Sequence, residues 1–227
     1  MKTLSMTYMS VEAALKLAKP YVGSLRKDAA IRGKSVLKCA LVTEEYVYAT
    51  NAHFLIRIHH NESITEPYLH HYKKYEENKD ATPAQYPSTD KLNRLIPSKV
   101  NAEYVGPVDV KEMNEAAEGA YITASNNEKA LKGHTSRVLI QDKGMHVQNP
   151  VPGGEFFGTG EFTYKFDMRT PIEGTMYFDY DYLRTVFKTF KQAKEEHATM
   201  YFHGTMRPIH LTAGQIEVIL LPCRGGN

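Results

Sequence analysis

The fold is decided by residues 176–224, which read MYFDYDYLRTVFKTFKQAKEE (176–196), then His197, then ATMYFHGTMRPIHLTAGQIEVILLPCR (198–224). Asp179 is a predicted N-cap, because a carboxylate there accepts the orphan amide protons of a first helical turn. Behind it Leu183, Val186, Phe187, Phe190 and Ala193 recur at helical spacing and make one apolar face. At about 100° per residue, Arg184, Lys188 and Lys191 fall together on one flank of that face. Past the helix, residues 199–202 (TMYF), 208–212 (PIHLT) and 216–221 (IEVILL) read as short strands. Gly204 and Gly214 stand at the turns between them, where a positive φ carries no steric penalty.

The N-terminal half has a similar grammar. Ser10 is placed to cap a helix running to about residue 22, with Val11, Ala14, Leu15, Ala18 and Val22 inward and Glu12 near its positive end. Lys16 and Lys19 take the same flank there as the three cations take on the late helix, and Pro20 kinks or ends the helix. Residues 25–33 form a basic connector. Residues 35–42 (SVLKCALV), 46–50 (YVYAT) and 54–59 (FLIRIH) read as a hairpin around a Thr-Glu-Glu turn plus a third strand. From 60 to 89 the chain turns polar and reads as a long loop with a helical turn around 67–78. Asp109 then caps a helix over 110–121, with Val110, Met113, Ala117 and Ala120 inward and Glu112, Glu115 and Glu118 outward. Residues 137–141 and 145–148 form a predicted hairpin around Asp142-Lys143-Gly144, residues 147–160 a Pro/Gly-rich loop and residues 162–168 a strand. The order helix, linker, hairpin thus occurs at 10–51 and again at 109–148, as in an internal structural repeat.

A chain of 227 residues with 42% hydrophobic and 24% charged residues has room for one large domain or two ordinary ones. Its net charge of +2 is too mild to imply nucleic acid by bulk attraction, so any DNA contact must come from local clustering. Cys39 and Cys223 sit in apolar strand-like runs and read as small buried hydrophobes of a reducing cytosol. The N-terminus lacks the apolar core of a signal peptide. The apolar run at 218–221 falls far short of the ~20 residues needed to cross a bilayer. A soluble, cytoplasmic protein is expected.

No chemistry announces itself. There is no phosphate-binding G-x-x-x-x-G-K-[ST], no G-x-G-x-x-G after a strand, no C-x-x-C and no H-E-x-x-H. His59, His60, His70 and His71 invite a zinc reading. No cysteine accompanies them, however, and adjacent histidines in one element point in different directions. No catalytic residue, metal or cofactor is assigned, and an enzyme is not expected.

Several segments, in order, resemble the bacterial β sliding clamp family, the processivity factors of replicative polymerases. Phe178-Asp179-Tyr180-Asp181-Tyr182-Leu183 resembles that family's F-N-x-x-Y-L helix start, Arg207-Pro208-Ile209 its proline-led strand, and Leu221-Pro222-Cys223-Arg224 its closing L-P-M-R. Ala49-Thr50-Asn51-Ala52-His53-Phe54-Leu55 resembles A-T-D-G-H-R-L, with Thr50, His53 and Leu55 matching and Ala replacing the glycine. Tyr86-Pro87 with Leu95-Ile96-Pro97 resembles F-P-x-Y-x-x-x-I-P, and Ser125-Asn126-Asn127-Glu128-Lys129 resembles L-S-N-E-K.

The resemblance is to the second and third clamp domains, without a counterpart of the first. It implies an α+β chain of two clamp-like domains, each with helices packed on antiparallel sheet. These are residues 1–105, reduced by the loop 60–89, and residues 106–227. It further implies a DNA sliding clamp that encircles duplex DNA non-specifically through Lys16, Lys19, Arg184, Lys188 and Lys191. A peptide pocket is implied at Thr50, His53, Leu55, Met206, Pro208, Ile219, Leu221, Pro222 and Cys223. Short Leu/Phe-containing peptides of a DNA polymerase and a clamp loader would bind there. Rings of six such domains imply a head-to-tail homotrimer acting in DNA replication. By analogy a two-domain clamp implies a bacteriophage source and the cytoplasm of a bacterial host. The alternative is a non-ring adaptor or decoy that binds polymerase-type peptides without encircling DNA.

Overall fold

A computed structural model of the chain describes residues 9–23, 35–72, 80–130, 137–142, 144–148, 163–165 and 172–223. The basic connector at 25–33 lies outside them. So does most of the loop expected at 147–160, whose first two residues belong to a strand. The chain forms two units: Met1–Ile96 with Thr212–Ile219, and Pro97–Leu211 with Leu220–Asn227. The expected division after residue 105 falls inside a strand of the second unit.

In the first unit, Ser10 caps helix α1 (Val11–Ala18) by accepting the Ala13 amide on Oγ, and Pro20 turns the helix into a short 3-10 segment, Lys19–Tyr21. Strands β1 (Cys39–Val42), β2 (Tyr46–Thr50) and β3 (Phe54–His59) are antiparallel, as read from their β-branched and aromatic content. The stretch 60–72 differs from expectation. Residues 73–78 of the expected helical turn lie outside the described residues, and 68–71 form an edge strand, β4 (Tyr68–His71), paired antiparallel with β1 through Cys39↔His71 and Val42↔Tyr68. Only Leu69 of its four residues is buried, so no alternation marked it in the sequence. A second unexpected element is helix α2 (Thr89–Arg94), capped by Ser88 and holding Leu92 inward. One face of this sheet receives α1, with Tyr21 against Phe54 at 4.5 Å between ring centroids. A further core of buried side chains joins Cys39, Leu41, Tyr48 and Leu55 to Tyr86 and Leu92.

The second unit begins with strand β5 (Tyr104–Asp109), which leads directly into helix α3 (Val110–Ala130). The helix runs well past the expected end at 121 and takes in Ser125–Lys129, the segment that resembles L-S-N-E-K. The reason is visible in the sequence: the buried stripe Val110, Met113, Ala117, Ala120 continues to Ala124 with no breaker after it. Strands β6 (Arg137–Asp142), β7 (Gly144–Gln148), β8 (Thr163–Lys165) and β9 (Ile172–Phe178) form a sheet ordered β8-β7-β6-β9. The hairpin expected at 137–148 is the β6–β7 pair. Helix α4 (Tyr180–Gln192) follows, with Asp179 Oδ1 accepting from the Asp181 and Tyr182 amides at 2.8 and 3.3 Å. Leu183, Val186, Phe187 and Phe190 are buried as expected, at about 1.5–3 kcal/mol of transfer free energy each.

Strands β10 (His197–Phe202), β11 (Ile209–Ala213) and β12 (Ile216–Leu220) end the described chain. Strand β10 pairs antiparallel with β5 in the second unit. Strand β12 completes the first unit's sheet, beside β3 in the order β4-β1-β2-β3-β12. The turns before and after β11 use Gly204 and Gly214, both at positive φ. The α+β class and the packing of helices on antiparallel strands therefore hold in both units, and the first is the smaller.

Helix α4 closes with the Glu195 amide donating to the Phe190 carbonyl and the Lys194 amide to the Lys191 carbonyl, a Schellman arrangement. The left-handed position, φ 62°, is held by exposed Lys194 where glycine is preferred. Replacing it by Gly removes that strain but adds unfolded-state entropy. Lys194→Gly is expected to stabilise the fold by about 0.5–1 kcal/mol, read as a higher urea midpoint at unchanged slope. A lower midpoint refutes this.

Candidate functional site

The five cations expected to face DNA are not equivalent. Lys16 and Lys19 are exposed at the C-terminal end of α1, and Lys16 pairs with Glu12 at 2.7 Å with both side chains largely in solvent. That pair holds the Glu12 carboxyl below its ordinary range through the Lys16 hydrogen bond and charge. Lys188 and Lys191 are exposed on α4. Arg184 is engaged within its own unit. Its Nε donates to Glu118 Oε2 at 2.7 Å, and its guanidinium lies 4.0 Å from the Tyr121 ring centroid. Tyr121 meets Tyr180 edge-on at 5.6 Å. Glu118 precedes Tyr121 while Arg184 follows Tyr180, so α3 and α4 run antiparallel. Glu118 and Tyr121 are the residues that sequence reasoning missed as partners. The available signal was an acidic row at three-residue spacing on α3 and a basic row at three- and four-residue spacing on α4.

The residues expected for the peptide pocket fall into two groups, one in each unit. In the first unit Thr50, Leu55 and Ile219 are buried, the last two inside the core around Tyr48 and Leu92. Thr50 Oγ1 donates to the Phe54 carbonyl at 2.8 Å and accepts the Ala52 amide, while Asn51 Oδ1 accepts the amides of His53 and Phe54. These bonds close the turn between β2 and β3 and half-expose His53. Ala52, the residue in the glycine position, takes φ 73°. The Asn51 side chain ties the turn around it.

In the second unit Met206 is 79% and Leu221 41% exposed. Pro208, Pro222 and Cys223 are partly buried, and the Cys223 amide donates to the Tyr177 carbonyl of β9 at 2.7 Å. That bond fixes the tail beyond β12 alongside β9.

The histidines have separate tasks. His60 is buried, with Nε2 at 3.1 Å from the Thr43 carbonyl and Nδ1 accepting the Glu62 amide. His59 meets Tyr46 edge-on, and His71 Nδ1 lies 3.3 Å from Cys39 Sγ. Burial, with the His71 charge second, holds the His70 imidazole below its ordinary value. Among the described residues, no group of three His, Cys, Asp or Glu side chains is placed to hold a metal ion. Nor is any helix there long and apolar enough to cross a membrane.

The chain has two units of helices on antiparallel strands, with a tied turn at 50–54 and a Pro-led strand, β11, near the C-terminus, and its fold is that of the solved sliding clamps. No family model matches the sequence, and no curated protein matches it. Solved structures do. The β subunit from DNA polymerase of Streptococcus pyogenes aligns at a TM-score of 0.63 and 14% identity over 98% of this chain and 67% of its own. The DNA polymerase III β chain from Streptococcus pneumoniae aligns at 0.63 and 15%, over 99% and 67%. The DNA polymerase sliding clamp from Pseudomonas aeruginosa, solved with a ligand, aligns at 0.64 and 12%, over 93% and 63%. At such identity the likeness is one of fold, and the chain spans about two thirds of each neighbour.

The two thiols differ in environment. Cys39 is fully buried, and burial pushes its thiol pKa up, whereas Cys223 is only partly buried. A thiolate is the reacting species, so the two should separate kinetically. Titration of the native protein with a disulfide reagent at neutral pH is expected to show one fast thiol, lost in Cys223→Ser, and a second released only by denaturant. Two fast thiols would contradict the burial of Cys39.

Proposed function

We propose that this protein is a DNA sliding clamp, a non-catalytic processivity factor that encircles duplex DNA and tethers a replicative polymerase. The observation that carries the reading is the alignment of nearly the whole chain with bacterial clamps, in two units that each pack helices on antiparallel strands. A ring made from two-unit chains takes three copies arranged head to tail. Inside it, exposed Lys16, Lys19, Lys188 and Lys191 meet phosphates without reading bases, so the ring slides. Polymerase and loader dock through short Leu/Phe peptides; the candidate residues are Met206, Pro208, Leu221, Pro222 and Cys223 in the second unit and Thr50, His53, Leu55 and Ile219 in the first.

A second reading is supported by one observation. Arg184 is spent on Glu118, and α3 carries two further exposed glutamates, Glu112 and Glu115. That balance suits a peptide-binding adaptor that does not encircle DNA. Native mass spectrometry with retention on closed circular duplex separates the readings. The ring predicts a trimer retained on circles and released by linearisation, with Lys188→Glu/Lys191→Glu weakening retention by about 10-fold through two lost phosphate contacts. A monomer at micromolar concentration that elutes without the circle sinks the ring.

The docking surface is tested separately. A fluorescent Gln-x-x-Leu-Phe peptide is expected to bind the wild type, and Leu221→Asp to abolish binding while leaving the thermal midpoint within a few degrees. A half-exposed leucine loses little on mutation in the free protein yet places a desolvated charge under the peptide. Equal titrations for wild type and variant would remove Leu221 from the surface.

A further inference from the structure

Resting on the DNA-facing reading of α4, we infer that Glu118 is a positioning residue that holds Arg184 off the phosphate backbone and so limits how strongly the helix pair grips DNA. Arg184 and Glu118 are each about one-third exposed, at 29% and 32% of their side chains. Their bond therefore lies where a phosphate can replace the carboxylate without unpacking the helices. Among the described residues only Nε hydrogen-bonds Glu118. The two terminal nitrogens keep the donors with which guanidinium forks onto phosphate. Tyr121 beneath the guanidinium keeps its plane fixed during such an exchange, since the cation–π contact asks nothing of the N–H groups.

The other charges of the pair are placed by the same crossing. The helices are antiparallel at the Glu118–Arg184 crossing. Stepping three residues back along α3, about 4.5 Å each time, reaches Glu115 and Glu112. Stepping four and then three residues forward along α4, about 6 and 4.5 Å, reaches Lys188 and Lys191. Each step of three turns the acids about 60° around α3, so Glu118 is the carboxylate that meets the basic flank of α4, and Glu115 and Glu112 lead away from it. Beyond a Debye length of about 8–10 Å the exposed cations of α4 are largely screened. A phosphate feels the cations only at contact, which favours a loose grip compatible with sliding. Removing the charge of Glu118 breaks the balance at the one cation that is already held in place.

The test is a salt series of anisotropy titrations with a fluorescein-labelled linear duplex. It uses wild type, Glu118→Gln, Glu118→Asp, Arg184→Gln and the double variant Glu118→Gln/Arg184→Gln. Glu118→Gln is expected to tighten binding about 5-fold at low salt and to steepen the log–log salt slope by about 0.9, one added phosphate contact. Glu118→Asp follows the wild type, and the double variant loses the gain. Arg184→Gln alone leaves the slope unchanged. If Glu118→Gln keeps the wild-type slope, or Arg184→Gln lowers it, the inference fails, because Arg184 is then either a strut between helices or already on a phosphate. A wild type that ignores duplex DNA while Glu118→Gln binds it sinks the clamp reading and leaves the role of Glu118 standing.

Discussion

The structure depends on strand β12 returning to the first unit. Ile216, Val218, Ile219 and Leu220 are all buried, so this strand is covered on both faces, unlike the half-solvated strands common in antiparallel sheets. Its flanks are tied at long sequence range. Arg57 forks onto Glu217 and reaches Asn93 Oδ1 at 2.9 Å, the His59 amide donates to the Gln215 carbonyl, and the Met9 amide donates to Gln215 Oε1. Residues at the two ends of the chain therefore stabilise the same sheet. The first unit cannot complete its core until the last strand arrives, and the loop closed in doing so spans the whole second unit.

This constraint explains how a reduced unit survives. Among the described residues, Tyr86 and Leu92 from a short segment pack on one face of its sheet and α1 on the other. On the face that carries Tyr86 and Leu92 a polar network adds to the apolar contacts. Tyr48 donates to Asn93 Oδ1 at 3.2 Å, and the Arg57 guanidinium lies 4.9 Å from the Tyr46 ring centroid. Burial, partly offset by Arg57, raises the Tyr48 pKa, so the phenol stays a neutral donor there. A charged residue shared between α2, β3 and β12 fixes register where few apolar side chains do so.

Legibility in the sequence followed burial. Helix α4 was read almost residue by residue because a capped, strongly amphipathic helix leaves a full signature in Asp179, Leu183, Val186, Phe187 and Phe190. The β2–β3 pair was read for a similar reason. Strand β4 was missed because an edge strand with one buried residue carries no alternation, and α2 because a six-residue helix with Leu92 alone inward carries no period. Assignment of residues 212–219 to the first unit left no local trace, since a doubly buried strand reads the same whichever sheet it joins. For the site, the cationic flank of α4 was legible. The capture of Arg184 by Glu118 was not, because it follows from how α3 crosses α4, and crossing angles are set by packing.

The apolar surface of the second unit follows from backbone chemistry as well as side chains. Pro222 removes an amide donor beside exposed Leu221 and Pro208 removes one two residues past exposed Met206, and the Cys223 amide is already committed to Tyr177. For the proposed peptide partner these lost donors make strand addition a poor mode of docking. What remains is anchoring by side chains against Met206 and Leu221, one flexible and one branched, in a setting where burial on binding is the main favourable term. Recognition of that kind tolerates varied backbones and rewards large apolar anchors. It suits one surface serving several partners in turn, provided each presents the same pair of apolar residues.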